Sequence, residues 1–218
     1  MTYTDVSLDD ASEVIELAGF KDLLSIEKLD GGWANSNYIL TLKNDEKLVL
    51  KIWNEQSIEE VNYLLNMTKY IVERDFPTPK PIQFLDGNYI HNKNGLAWTL
   101  LPFIQGNWLD SNHSSLYSLG IIQAKLHTIE PPNELKTEFS MGYKLFNKLY
   151  NIADENNEWT DFVKFLKNET EELLIKIGPL PKGIIHGDLF SDNVLAINNE
   201  VVTVLDFEEI CYDYLAFD

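Results

Sequence analysis

Between Gly183 and Asp206 the chain reads GIIHGDLFSDNVLAINNEVVTVLD, and no other stretch restricts the possible folds as much. Gly183-Ile184-Ile185 and Val201 to Leu205 are short β-branched runs bounded by turn residues, which marks them as buried strands. Val194 to Ile197 is a third such run, and Asn198-Asn199-Glu200 joins it to Val201 as a predicted hairpin turn. The polar residues His186, Asp188, Asp192, Asn193 and Asp206 gather where these strands stop.

A buried strand pair that presents a carboxylate, then an amide, then a second carboxylate suits phosphoryl transfer. In protein kinases an Asp accepts the hydroxyl proton, an Asn a few residues on holds one Mg2+, and an Asp after the next strands holds another. Asp188, Asn193 and Asp206 occupy those three places. Taken singly, each is explained as well by a hairpin whose Asp and Asn residues only form Asx turns. The full pattern, H-G-D-x-x-x-x-N followed by an apolar strand ending in Asp-Phe, favours the catalytic reading.

Length and composition agree with that chemistry and exclude others. The chain's 218 residues suit one large domain or two small lobes, and 44% apolar content is ample for a core. A lone cysteine, Cys211, excludes an internal disulfide framework. The acidic N-terminus lacks an apolar signal-peptide core and no run approaches a membrane span, so a cytoplasmic location is expected. A formal charge of −18, with Arg74 the only arginine, argues against nucleic acid and anionic membranes as partners. That charge serves solubility, or more sharply draws in a cationic or zwitterionic substrate.

Ser7 caps a helix predicted to run to about Leu17, with Gly19 as its stop. A strand unit follows: Ile26 to Leu29, Tyr38 to Leu42 and Leu48 to Trp53. Between the first two lies Gly31-Gly32-Trp33-Ala34-Asn35-Ser36-Asn37. Gly31 and Gly32 let backbone N–H groups approach phosphate oxygens, and Asn35, Ser36 and Asn37 add side-chain donors. Lys51 lies in an apolar strand, where an unpaired cation is costly; it either holds nucleotide phosphates or faces water from an edge strand. Ser57 and Glu60 form an S-x-x-E capping box at the start of a helix to Glu73. Glu60 therefore either caps its own helix or reaches Lys51, and Glu59 is the neighbour that could do so instead.

Phe76-Pro77-Thr78-Pro79-Lys80-Pro81 forces an extended connector. Ile82 to Leu85, Tyr89 to His91 and Leu96 to Ile104 are further predicted strands. The run from Thr99 to Gly106 leaves the sheet as a hinge, where backbone groups around Leu101 and Phe103 are expected to bind adenine. The second half is mostly helical. Leu116, Leu119, Ile122 and Leu126 predict a buried helix from Ser114 to His127, with His127 structural. Tyr143 to Ile152 and Trp159 to Ile177 are amphipathic helices, the second stopped by Gly178-Pro179. The tail carboxylates Glu208, Glu209 and Asp213 face solvent or a cationic group of a substrate.

With these pieces in view, the chain resembles the aminoglycoside phosphotransferase/choline kinase family, small-molecule kinases of protein-kinase-like fold. The matching segments are GGWANSNY (31–38), LVLKIW (48–53), EEVNYLLNMTKYIVERDFPTPKPI (59–82), IIHGDLFSDNVL (184–195) and LDFEEICYDYLAFD (205–218). LPKGIIHGDLFSDNVL and DYLAFD look closest to the type II homoserine kinases, with N-acetylhexosamine kinases also similar. Carried over, the resemblance implies Asp188 as base and Asn193 and Asp206 as Mg2+ ligands. It implies Lys51 on the α/β-phosphates of ATP with Glu60 as its partner, and His186 and Asp218 as supports of the catalytic loop. Only about a dozen residues separate Asp206 from Asp218, which leaves no room for a protein-kinase activation loop. Gly187 also stands where an Arg would receive a loop phosphate.

The expected architecture is α+β and bilobal. Residues 1–103 form an antiparallel-sheet nucleotide lobe, and residues 104–218 a mostly helical catalytic lobe. Chains of this family normally continue with further helices, so the catalytic lobe is expected to be incomplete, with exposed apolar surface and a tendency to dimerise. The expected activity is ATP- and Mg2+-dependent phosphorylation of a small-molecule hydroxyl, first of all L-homoserine. An amino sugar, choline or an aminoglycoside is the alternative acceptor. A non-catalytic nucleotide-binding fragment is the alternative of another class.

Overall fold

Ser7 sets the first element in place. Its hydroxyl accepts from the Asp10 N–H while the Asp10 carboxylate accepts from the Ser7 N–H, a reciprocal cap that satisfies two otherwise orphan donors. In the computed structural model, which describes residues 3–29, 34–177 and 179–218 and the side chains of all these except 174–177, this cap opens α1 (Leu8–Leu17). The helix buries Ala11, Val14 and Ile15 and leaves Leu17 partly exposed. The expected glycine pair Gly31-Gly32 and the helix stop at Gly178 lie outside the described residues.

β1 (Leu23–Leu29), β2 (Ser36–Leu42), β3 (Lys47–Trp53), α2 (Ile58–Val72), β4 (His91–Lys93) and β5 (Leu96–Pro102) follow. The five strands form one antiparallel sheet in the order β1-β2-β3-β5-β4. Alternate residues of β2 are buried, as a strand with one covered face requires. Leu40, Leu42, Leu48, Leu50, Ile52, Trp98 and Leu100 pack with Val14 and Ile15 of α1 into the core of this unit. α2 begins at the expected box, with Ser57 and Glu60 capping each other, and buries Val61, Leu64, Leu65, Met67 and Ile71.

Ile82 to Leu85 is not a strand, contrary to the sequence expectation. Its N–H groups bond three separate places instead of one neighbouring strand: Ile82 to Leu100 O at 2.9 Å, Phe84 to Asn88 O at 2.8 Å and Leu85 to Leu17 O at 2.8 Å. Pro77, Pro79 and Pro81 remove donors just ahead of it, so no ladder can build there.

Beyond the sheet come β6 (Asn107–Trp108), α3 (His113–His127), α4 (Tyr143–Asn156), α5 (Asp161–Ile177), β7 (Lys182–Ile185), β8 (Val194–Ile197), β9 (Glu200–Val204) and β10 (Cys211–Tyr214). The chain divides into two compact units. One comprises Met1–Trp108 with Leu195–Ile197 and Val202–Leu205; the other comprises Leu109–Val194, Asn198–Val201 and Asp206–Asp218. β6, β8 and β9 form a three-stranded sheet. Asn198 and Asn199, at φ +51° and +69°, make the turn of the β8–β9 hairpin, and positive φ at both positions matches the twist of the strands.

In the second unit β10 pairs antiparallel with β7, Cys211 opposite Ile185 and Asp213 opposite Gly183. The tail therefore carries a strand where only a short tail was expected. Asp213 is not a solvent-facing or substrate-facing carboxylate. It is buried, and it accepts from Lys182 Nζ at 3.0 Å and from the Phe139 and Tyr214 N–H groups at 2.9 Å each. Burial pushes its pKa up, but these bonds more than offset that and hold it below the usual carboxylate value.

α3 also departs from expectation. Ser115 and Leu126 are its buried residues, whereas Leu116, Tyr117 and Ile121 are each more than half exposed. Apolar residues occur on both sides of this helix, and only the side of Ser115, Leu119, Ile122 and Leu126 is covered to any extent. Phe162 and Phe165 of α5 are likewise more than half exposed. No helix among the described residues is long and apolar enough to cross a membrane.

Candidate active site

β7 runs into His186, Gly187 and Asp188, and the conformation of this corner is set by Asp218. The Asp218 carboxylate accepts from the His186 N–H at 3.0 Å and the Gly187 N–H at 2.8 Å, and its Oδ2 lies 3.0 Å from His127 Nε2. Its side chain has no exposed surface. Burial raises its pKa, yet the bonds from His127, Gly187 and His186 reverse the direction and hold it below the usual carboxylate range. His186 is itself fully buried. Its Nδ1 accepts from the Asp188 N–H at 3.2 Å, and its ring lies against Phe207 at 4.4 Å between centroids.

Gly187 is required here twice over. It sits at φ +81°, and a Cβ would come within 2.9 Å of Glu209 Cβ, of the Glu209 carbonyl oxygen and of a Phe139 ring carbon. Two of those three atoms belong to side chains, but the carbonyl is backbone and cannot swing away. Gly187→Ala is therefore expected to lower stability by about 3 kcal/mol, the sum of a left-handed penalty and overpacking. Urea denaturation measures it, and a loss below about 1 kcal/mol would show that the corner adapts.

The short 3-10 turn Ser191–Asn193 brings Asn193 back onto Asp188. Asn193 Nδ2 donates to the Asp188 backbone oxygen at 2.8 Å and to its carboxylate Oδ2 at 2.9 Å. The amide nitrogen is thereby committed, which leaves Oδ1 as the atom of Asn193 that can ligate a cation. Asp206 follows β9 in the left-handed region at φ 63°, a conformation Asp tolerates better than most residues. It is exposed, and its neighbour Phe207 is the residue packed on His186. His186, Asp188, Asn193 and Asp218 are thus joined directly by hydrogen bonds, and Asp206 is tied to them through Phe207. Asn193 and Asp206 offer hard oxygen donors, a set that suits Mg2+. No group of three or more His, Cys, Asp or Glu side chains among the described residues gathers as a metal site.

The first unit carries the predicted nucleotide-side residues. Lys51 is 8% exposed and lies in β3 between β2 and β5, which excludes the edge-strand alternative. Its Nζ sits 4.0 Å from the centre of the Trp53 ring. Glu60 Oε2 accepts from the Ser57 N–H at 2.9 Å and hydroxyl at 2.8 Å, so Glu60 does cap its own helix.

The other predicted nucleotide-side residues are engaged within the protein. Ser36 is fully buried, and its hydroxyl accepts from the Thr4 N–H at 2.8 Å and from Asn54 Nδ2 at 2.9 Å. Asn35 is 5% exposed and its Oδ1 accepts from the Asn54 N–H at 3.3 Å. These two side chains hold the strand entry from inside the unit. Asn37 is half-buried, opposite Lys51, with its backbone N–H and C=O both bonded to the Tyr3 hydroxyl. The Phe103 N–H donates to Lys47 O at 3.2 Å, and Leu101 lies in β5 opposite Val49.

Residues 25–218 match the sequence pattern described as the phosphotransferase enzyme family. The chain belongs to that family. This phosphotransferase is a small-molecule kinase. It is 28% identical over 224 residues to a homoserine kinase of Methylobacillus flagellatus, covering 99% of this chain and 68% of the relative. A homoserine kinase of Rhodospirillum rubrum is 27% identical over 222 residues with the same coverage. Among solved structures, a spectinomycin phosphotransferase in complex with ADP and spectinomycin superposes with a TM-score of 0.74 at 15% identity, over 99% of this chain and 73% of that one. The macrolide 2′-phosphotransferase MphH from Brachybacterium faecium gives 0.69 at 14%, over 97% and 75%. The α+β, protein-kinase-like fold is established by these likenesses.

The corner at Gly187 and the entry to β2 are also shaped by residues to which the sequence reading assigns no such role. Phe139 and Glu209 press on Gly187, and the Ser140 hydroxyl bonds the Glu209 carboxylate. Thr4 and Asn54 hold the entry to β2. Their separation in sequence carries no periodic signal, so only the fold brings them together. Cys211 is excluded as a nucleophile: burial, then the nearby Asp213, Asp218 and Glu209 charges, push its thiol up to about 12.

Proposed function

We propose that this phosphotransferase moves the γ-phosphoryl group of ATP to the side-chain hydroxyl of L-homoserine. The observation that carries the chemistry is the Asp188–Asn193 contact. One carboxylate is held at 2.9 Å by an amide whose other atom suits a cation. The observation that carries the substrate is the match over 99% of this chain to proteins named homoserine kinase.

In this reading Asp188 orients the acceptor hydroxyl and takes its proton on the carboxylate oxygen that Asn193 Nδ2 does not bond. Asn193 Oδ1 and the Asp206 carboxylate hold Mg2+, which when bound offsets the charge on the phosphates. Lys51, desolvated in β3, binds phosphate oxygens of the nucleotide, with Glu60 as its carboxylate neighbour. His186 and Asp218 act through the loop: together they hold the backbone on either side of Gly187, so that Asp188 does not have to be ordered when the substrate arrives. The remaining nucleotide contacts come from backbone groups of the loop that includes Gly31 and Gly32 and from the hinge around Leu101.

The test is ADP release with Mg-ATP against L-homoserine, an amino sugar, choline and an aminoglycoside, with the phosphorylated product identified by mass spectrometry. L-homoserine is expected to turn over well above the others. Turnover of another alcohol with homoserine inert would replace the substrate and keep the chemistry. ATP binding with no transfer to any acceptor would overturn both.

A further inference from the structure

We infer that Phe190 is the acceptor-side wall of this active site, an aromatic surface that packs along the aliphatic chain of a short alcohol and so selects its length. The inference rests on the phosphoryl-transfer reading of Asp188 and Asn193 and names what that reading leaves open, the group that touches the rest of the acceptor.

The loop from His186 to Val194 is held at both ends. Asp218 grips the His186 and Gly187 N–H groups, and the Leu109 N–H donates to Val194 O at 3.0 Å. Within it, Phe190 is tethered to both residues of the proposed chemistry. Its N–H donates to Asp188 O at 2.9 Å, and its carbonyl accepts from the Asn193 N–H at 3.0 Å. Its backbone is therefore fixed relative to that of Asp188 and Asn193. Its side chain is not enclosed: Phe190 is 67% exposed, the one large apolar residue of the loop in that state. The other exposed residues of the same turn, Ser191 and Asp192, are polar and lose nothing in water. A ring carried on backbone fixed two residues from the base, and exposed among the described residues, gains free energy when apolar substrate atoms cover it. Scattered exposed aromatics elsewhere on a surface need no such account; the double tether to Asp188 and Asn193 separates this one from them. Methylene groups beside a reacting hydroxyl are the substrate atoms such a ring can recognise, and it discriminates chains by one methylene.

The experiment compares the full chain with Phe190→Ala and Phe190→Leu, using Mg-ATP with L-homoserine and with L-serine, which is one methylene shorter. Phe190→Ala is expected to raise KM for homoserine about tenfold and to lower the homoserine-to-serine ratio of kcat/KM about tenfold. KM for ATP and the unfolding midpoint are expected to stay at the parent values, because the side chain is exposed. Phe190→Leu restores most of the acceptor affinity. An unchanged KM and ratio in Phe190→Ala overturns the inference while leaving the proposed function standing. So does an equal loss of ATP affinity and stability. If the parent phosphorylates a different alcohol, homoserine falls as substrate, and the same variant is judged on that alcohol: a raised KM supports the wall and an unchanged one overturns it. A parent that transfers to no acceptor removes the reading and the inference together.

Discussion

Asp188→Asn is expected to lower phosphoryl transfer by about 10²–10⁴-fold while leaving the fold intact, the range seen when a general base is removed. The substitution keeps the shape of the side chain and an oxygen that can accept from Asn193 Nδ2, so the 2.9 Å contact survives. What it removes is the negative charge and the second acceptor that takes the hydroxyl proton. ATP affinity is expected to hold, because the loop is fixed by Asp218 and not by Asp188. Single-turnover transfer, together with ATP-dependent thermal stabilisation, separates the two effects. Transfer within about threefold of the parent would remove Asp188 from the role of base, well outside the range above.

Asp218→Asn is expected to act on the fold instead, with a loss of about 3–5 kcal/mol, the cost of removing one partner from a buried charged network. Two backbone N–H donors and His127 converge on this one carboxylate, and its side chain has no exposed surface. Asparagine offers one oxygen in place of two and turns an N–H2 group towards donors, so a buried group is left unmatched. The carboxylate also gives the parent a pH signature. Its folded pKa is depressed, so its contribution is fully present above the unfolded pKa and is lost as pH falls through the folded value. The window therefore lies below the ordinary Asp value, about pH 4 and downward. Denaturation midpoints measured from neutral pH into that acid range are expected to fall more steeply for the parent than for Asp218→Asn. Parallel slopes, or a loss below about 1 kcal/mol at neutral pH, would remove Asp218 as the support of the loop.

Much of the fold was legible from short-range chemistry. Ser57 and Glu60 stand three apart in front of an apolar run, and they cap each other as that spacing requires. Val194 to Ile197 and the run ending at Val204 are strands because β-branched residues flank a turn whose two asparagines accept positive φ. The pattern around Asp188 grouped residues that lie within five positions of each other, and Asn193 does return to Asp188 through one 3-10 turn.

What stayed hidden shares another cause: it depended on what lies across the fold. Ser36 and Asn35 look like open loop side chains until the fold buries them and Thr4 and Asn54 donate to their oxygens. Asp213 looks like a surface carboxylate until Lys182 and the Phe139 N–H enclose it. Ile82 to Leu85 has the composition of a strand but meets three separate acceptors and no neighbouring strand. α3 has apolar residues on both sides, and its sequence cannot say which side is covered.

The sequence by itself determined the strands on either side of the Asn198-Asn199 turn, the capped helix starts at Ser7 and Ser57 and the family, because propensity, capping and motif spacing act over a few residues. Only the tertiary structure decided that Lys51 is central in its sheet, that β10 closes on β7, and that Gly187 has no room for a side chain. It also decided that Asp218, about thirty residues along the chain from His186, holds the corner at His186 and Gly187. Burial and hydrogen-bond satisfaction are properties of what surrounds a group, and those surroundings come from segments far apart in the chain.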